Sequence, residues 1–230
     1  TTLFRYKGQI YHIEETRRRT GCDCLVVAMS GDFVQRGEPA VLDKWLRAEH
    51  ALKAGDDLVV EIPTLFCLGN ASQYASAGVG LLEALGCSEI SFGSESGDAD
   101  LVSEVAGVMK ENRDAIDSCI SSKIKQGMSY PAARSDAYRS LRAGTADDER
   151  LKKELAVLHD PNDILALEYL LHMKSAAPVV IRREGAYHDT LGPGTDGYVS
   201  AEQIRKAVRV EGVDSDVLSG SVPAYVRDAL

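Results

Sequence analysis

Apolar positions along this chain fall into short runs separated by longer stretches of mixed character. Leu25 to Met29 and Leu58 to Ile62 are rich in β-branched residues, and Pro63 closes the second. Such runs read as strands covered on both faces, as in a parallel sheet. Glu89 to Phe92 reads as a third strand running into Gly93-Ser94-Glu95, and Pro178 to Ile181 as a fourth. Between them the spacing predicts helices over Ile10–Arg19, Asp43–Ala54 and Asn70–Leu85. Asp43 suits a helix N-cap, Trp45, Leu46, Ala48 and Leu52 make the apolar stripe, and Gly55 ends that helix. Strand and helix alternating at this spacing imply βαβ units with right-handed crossovers.

From about 99 to 158 the chain turns polar and helical, with no convincing strand, as a helical insertion or lid would. Asp147 to Glu154 reads there as a solvated helix face. A helix over Pro161–Met173 leads into the fourth strand. Gly192 to Gly197 reads as a glycine-rich loop, and Ser200 to Val208 as the last helix. The expected architecture is α/β: a Rossmann-like, doubly wound parallel sheet over 1–210 with the insertion at 99–158. Residues 211–230 would begin a further region.

The segment after the first strand, Ser30-Gly31-Asp32-Phe33-Val34-Gln35-Arg36-Gly37, is small and polar. In open α/β sheets ligands bind beyond the carboxyl ends of the strands, so this is a site candidate. Residue pattern alone equally allows a helix-entry turn whose Arg36 makes a structural salt bridge.

Composition narrows the function. The chain has 230 residues, 44% hydrophobic and 27% charged, enough for a real core. A net charge of −9 argues against a general nucleic-acid binder but leaves room for a local basic patch. Arg17-Arg18-Arg19 read more simply as the last turn of a helix, where cations suit the dipole. No run approaches the length of a membrane span, and the first residues lack the sections of a signal peptide. A cytoplasmic location is expected. The five cysteines include one C-x-C pair, Cys22 and Cys24, with no partners at zinc spacing. Free thiols and no metal site follow.

Four islands in one order carry a resemblance. They are Met29 to Pro39 with Asp43-Lys44-Trp45-Leu46-Arg47-Ala48; Phe92-Gly93-Ser94-Glu95; Pro161-Asn162-Asp163 to Tyr169; and Arg182-Arg183-Glu184-Gly185 through Tyr187-His188-Asp189 to Ser200-Ala201-Glu202-Gln203-Ile204-Arg205. From about Ile10 to Arg205 the chain resembles the bacterial tRNA(Met) cytidine acetate ligases. These belong to the nucleotidyltransferase (HUP-type) superfamily.

The resemblance implies activation of acetate by ATP with Mg²⁺, giving acetyl-adenylate, then acetylation of the wobble cytidine of elongator tRNA(Met). It places ATP on Gly8, Gly93, Asn162 and Arg183, and makes Arg205, Ser200 and Lys44 candidates for catalytic roles. Physically, Arg183 and Arg205 suit bidentate phosphate contacts, and a helix starting near Ser200 would aim its amide end at an anion. Gly93 would let the nucleotide approach the backbone.

The pattern departs from the family at both ends. The family opens with a full strand and His-x-Gly-His, where this sequence has Tyr6-Lys7-Gly8-Gln9 behind Thr1 to Arg5. His12 lies one turn beyond Gln9, where the family also has a histidine. The helical, tRNA-binding domain that continues the family pattern is not part of this sequence. Two other readings follow: a non-catalytic nucleotide- or RNA-binding relative, and a small-molecule adenylyltransferase of the same superfamily. Oligomeric state is left open.

Overall fold

The structure is a computed structural model that describes residues 7–35 and 37–183, with the single positions Val208, Val210 and Val226. The Gly192–Gly197 loop, most of the Ser200–Val208 helix, the boundary at 210 and the candidates Arg36, Ser200 and Arg205 lie outside the described residues.

Helix α1 (Lys7–Thr20) precedes strand β1 (Val26–Ser30), helix α2 (Lys44–Lys53) and strand β2 (Leu58–Ile62). A short helix α3 (Thr64–Cys67) and the long α4 (Ala71–Ala84) lead to β3 (Glu89–Ser94). Four helices follow in succession, α5 (Ala99–Glu111), α6 (Arg113–Lys125), α7 (Tyr130–Arg142) and α8 (Asp148–Val157); α9 (Pro161–His172) then leads to β4 (Ala177–Arg182). Each helix and strand expected within these residues forms, with ends shifted by a few positions. Asn70 and Gln73 close a reciprocal capping box on α4, and Gly21 and Gly55 end α1 and α2 at φ of 63° and 105°.

The strands pair in parallel, β1 with β2 and β3 with β4, Val26 opposite Leu58 and Gly93 opposite Ile181. The expected single sheet is seen among the described residues as these two pairs, without strand pairing between them. The strand that the family pattern sets ahead of α1 falls on residues outside the described ones.

Helices cover both faces, the doubly wound arrangement. On β3, Ile90 and Phe92 point into the main core, where Phe92 meets Tyr169 of α9 with ring centroids 5.5 Å apart. Ser91, alternating to the other face, meets α1: its Oγ lies 2.8 Å from Thr16 Oγ and 3.0 Å from His12 Nε2. On β2, Ile62 packs with Cys67 and with Tyr74 of α4, while Glu61 turns to α2. The small residues of α4, with Ala75 and Gly78 buried, let it lie close to the strands and to α9. Helix α1 straddles the seam. Arg17 donates to Gly55 O at 2.8 Å and pairs with Asp57 at 2.5 Å, just ahead of β2. Arg19 donates to Val180 O of β4 at 2.9 Å.

Three expectations about burial change. The stripe on α2 is not apolar: Arg47, His50 and Ala51 face inward, and Trp45 is 76% exposed. The Arg47 guanidinium is drawn in because carbonyls at the end of β1 need its donors. Strand β2 is only half covered, with Leu58 and Glu61 exposed and Ile62 buried, and β1 becomes fully buried only at Met29 and Ser30. Glu154, read as solvated, is buried outright. Its carboxylate takes a bidentate pair from Arg142 at 2.9 and 2.6 Å and the Tyr138 hydroxyl at 3.1 Å, which locks α7 to α8.

Candidate functional site

Both strand pairs finish at the edge towards which the first turn of α1 points. Arg17, at its C-terminal end, sits where β2 begins; Arg19 reaches Val180, Thr16 and His12 reach Ser91, and the field of Arg183 acts on His12. Gly8, in that first turn, therefore lies at the end where β3 and β4 finish.

On the β3–β4 side, Gly93 is the last residue but one of its strand. A Cβ there would stand 3.1 Å from Arg183 Cγ, so the missing side chain lets Arg183 lie across β3. The Arg183 amide donates to Ser94 O at 2.9 Å, extending the ladder past β4. Glu95 then does what Asp160, the nominal N-cap of α9, does not. Its carboxylate accepts from the amides of Asn162 at 3.2 Å and Asp163 at 2.9 Å, and from Asn162 Nδ2. Asp163, buried beneath, accepts from Ser94 Oγ and from the Ser96 amide at 3.1 Å. Burial pushes its pKa above the usual carboxylate range, against the pull of those two hydrogen bonds. His12 is lowered to about 4, mainly by burial and further by Arg183, so the ring is neutral at pH 7. Gly93, Asn162 and Arg183 are thus brought together around one loop, Ser94 to Gly97.

On the β1–β2 side, Asp43 caps α2 through the amides of Trp45 at 2.8 Å and Leu46 at 3.0 Å. That cap sets Lys44 in the first turn, where its Nζ pairs with Glu61 at 2.8 Å, and the carboxylate holds the ammonium above its ordinary pKa. Arg47 donates Nε to Leu42 O and Nη2 to Ser30 O, each at 3.0 Å, and also to Gly31 O. Among the described residues its Nη1 has no hydrogen-bond partner, although the residue is only 5% exposed. Lys44 stands among these β1–β2 residues, where its partners are Glu61 and the Trp45 ring, 5.5 Å from its Nζ. Beyond Gly31 the loop folds back as a Phe33–Pro39 bridge, with Gly37 at φ 74°.

No group of three or more His, Cys, Asp or Glu among the described residues is arranged to hold a metal ion. The five cysteines are free thiols, and no helix among the described residues is long and apolar enough to cross a membrane.

The family profile of the HIGH nucleotidyl transferases matches residues 6–230. The chain belongs to this family. A crystal structure of Thermotoga maritima TmcAL bound with alpha-thio ATP superposes with a TM-score of 0.83 at 31% identity, covering 97% of this chain and 52% of that one. The apo form of the same protein gives 0.84 at 32% identity. Among curated relatives, the tRNA(Met) cytidine acetate ligase of Geobacillus sp. (strain WCH70) is 36% identical over 98% of this chain and 55% of its own length. That of Caldanaerobacter subterraneus is 38% identical over 97% and 53%. The chain spans about half the length of the curated relatives it matches. The fold is the nucleotidyltransferase-type α/β fold that the sequence islands led to.

Reasoning from the sequence missed Glu95, Asp163, Arg47 and Glu61. Glu95, Asp163 and Arg47 lay inside islands already singled out, and Glu61 was a lone acid in an apolar run.

Proposed function

We propose that this HIGH nucleotidyl transferase chain is the adenylate-forming part of a tRNA(Met) cytidine acetate ligase. The observation that carries the reading is the Gly93–Arg183–Asn162 grouping at the ends of β3 and β4, in a chain that superposes over 97% of its length on a protein bound with alpha-thio ATP. ATP would lie with its sugar or base against Gly93 and the Asn162 turn. Its phosphates would run towards Arg183 and Gly8, and Arg205 and Ser200 remain the candidates that the resemblance adds. A carboxylate oxygen of acetate attacks the α-phosphorus; the bond to the bridging oxygen breaks and its electron pair leaves on pyrophosphate. The acetyl group of the adenylate then passes to the cytidine exocyclic amine, with release of AMP and a proton. Alignment and charge stabilisation are the work required of the protein in the first step.

The described residues offer no metal cradle, so the Mg²⁺ that accompanies ATP would ride on phosphates and water, as Mg²⁺ commonly does. An enzyme acting on tRNA would work in the cytoplasm. Tyr6-Lys7-Gly8-Gln9, in place of a histidine pair, favours a second reading, that of a non-catalytic nucleotide binder. Acetate-dependent exchange between pyrophosphate and ATP separates the two. The ligase reading expects exchange that needs acetate and falls on Arg183→Ala; ATP binding without any exchange would establish the binder instead.

A further inference from the structure

The residues proposed for ATP gather on the β3–β4 side, whereas ligation needs a second substrate, a carboxylate. The β1–β2 side already holds one carboxylate in an unusual way. A Cβ on Gly31 would stand 2.1 Å from Glu61 Oε1, so the Glu61 carboxylate rests where a side chain at 31 would be. Its other oxygen pairs with Lys44 Nζ at 2.8 Å. Beneath, Arg47 grips the carbonyls of Ser30 and Gly31 and keeps an unused Nη1 donor in an almost fully buried side chain. Leaving a buried charged donor unpaired is costly, and an incoming carboxylate is one group that would satisfy it. Glu61 itself is 41% exposed in its side chain and free to turn towards water.

We propose that Gly31, Lys44 and Arg47 form the binding site for the substrate carboxylate, and that Glu61 holds it when substrate is absent. Acetate enters by exchange: Lys44 releases Glu61 and takes the incoming carboxylate, so the ammonium is never left unpaired. The swap replaces one charge-assisted pair by another at little net cost. Small size follows from the same geometry, because a cradle vacated by one glutamate carboxylate admits a short acid. The inference rests on the ligase reading for the identity of acetate, but not for the existence of a carboxylate site.

The test is titration of the intact protein with carbon-13-labelled acetate, followed by NMR, alongside acetate-dependent exchange and ATP calorimetry. Lys44→Met is expected to weaken acetate binding by about tenfold or more, the loss of one charge-assisted contact. Gly31→Ala, whose backbone is outside the positive-φ region, fills the cradle and is expected to do the same. Glu61→Gln removes the resident competitor and is expected to tighten binding. ATP affinity should stay within about twofold in all three, since the partition of sites is what is claimed. Weaker acetate binding in Glu61→Gln, or acetate binding indifferent to both Lys44→Met and Gly31→Ala, overturns the proposal. Acetate binding that obeys Lys44 without any exchange sinks the ligase reading and leaves the carboxylate site standing. Exchange that ignores Lys44 and Gly31 does the reverse, and a protein showing neither binding nor exchange refutes both. Thermal melts of each variant separate loss of the site from loss of the fold.

Discussion

Lowering the pH should loosen this fold before any carboxylate with a depressed pKa is protonated, and His12 is the reason. Its pKa is lowered from 6.5 to about 4, chiefly by burial against β3. The unfolded chain therefore takes up this proton first. The contribution is complete above the unfolded value and is lost as pH falls from 6.5 towards 4. At about 1.4 kcal/mol per unit the ceiling is roughly 3.4 kcal/mol, of which about 2 kcal/mol is gone by pH 5. The ring keeps some exposed surface, which makes these upper figures. Glu15 and Glu83, each lowered to about 2 by hydrogen bonds, act only below about 4.5 and stay out of the window. Asp160 and Asp163, raised by burial, act with the opposite sign. The measurement is urea unfolding between pH 7 and 5 for the wild type and for His12→Gln, which keeps a polar partner for Ser91. The wild type should lose stability more steeply than the variant by up to about 2 kcal/mol. Parallel profiles would refute the reasoning and mean that the folded protein accommodates a charged His12.

Glu154→Ala should cost about 3 kcal/mol, because it empties the buried end of the Arg142 fork and leaves the Tyr138 hydroxyl without its acceptor, while Arg142 keeps Glu104 at 3.1 Å. Calorimetry would read this as a melting temperature lower by roughly 6–12 °C; a shift under 2 °C would mean that Glu104 alone satisfies Arg142. Gly93→Ala should leave the fold nearly intact, since the clashing atom at 3.1 Å belongs to a flexible arm. It should displace Arg183 and weaken ATP binding by about tenfold in calorimetric titration; unchanged affinity would separate Gly93 from the nucleotide. Glu95→Ala uncaps α9 at Asn162 and Asp163. Chemical unfolding should show a loss of about 1–2 kcal/mol, and no loss would mean that Asp160 takes over as cap.

Elements and their order were legible because period and punctuation are local: a β-branched run before Pro63, a capping Asp43, a terminating Gly55. Gly93 and Asn162 were legible through the company they keep in long motifs. What stayed hidden were the charged residues that fold inward. Arg47 sits at a helix position where pattern favoured Trp45 and Leu46, and the carbonyls that hold it inside, those of Ser30, Gly31 and Leu42, come from outside its helix. Glu154 looked solvated among Lys152 and Lys153, for its partners Tyr138 and Arg142 come from another helix. Such pairs depend on tertiary position, which one-dimensional periodicity does not encode.

The straddling of the seam by α1 has a mechanical consequence. One face of the two strand pairs is backed by α4 against α9, close-packed through small residues and stiff. The other is fastened by side-chain tips: Arg17 to the β2 side, and Arg19, Thr16 and His12 to the β3–β4 side. Bending about the stiff face stretches these polar links, so the softest deformation is that of a book opening on its spine, with α1 as the clasp. Protonating His12 weakens one stitch of that clasp without touching the spine.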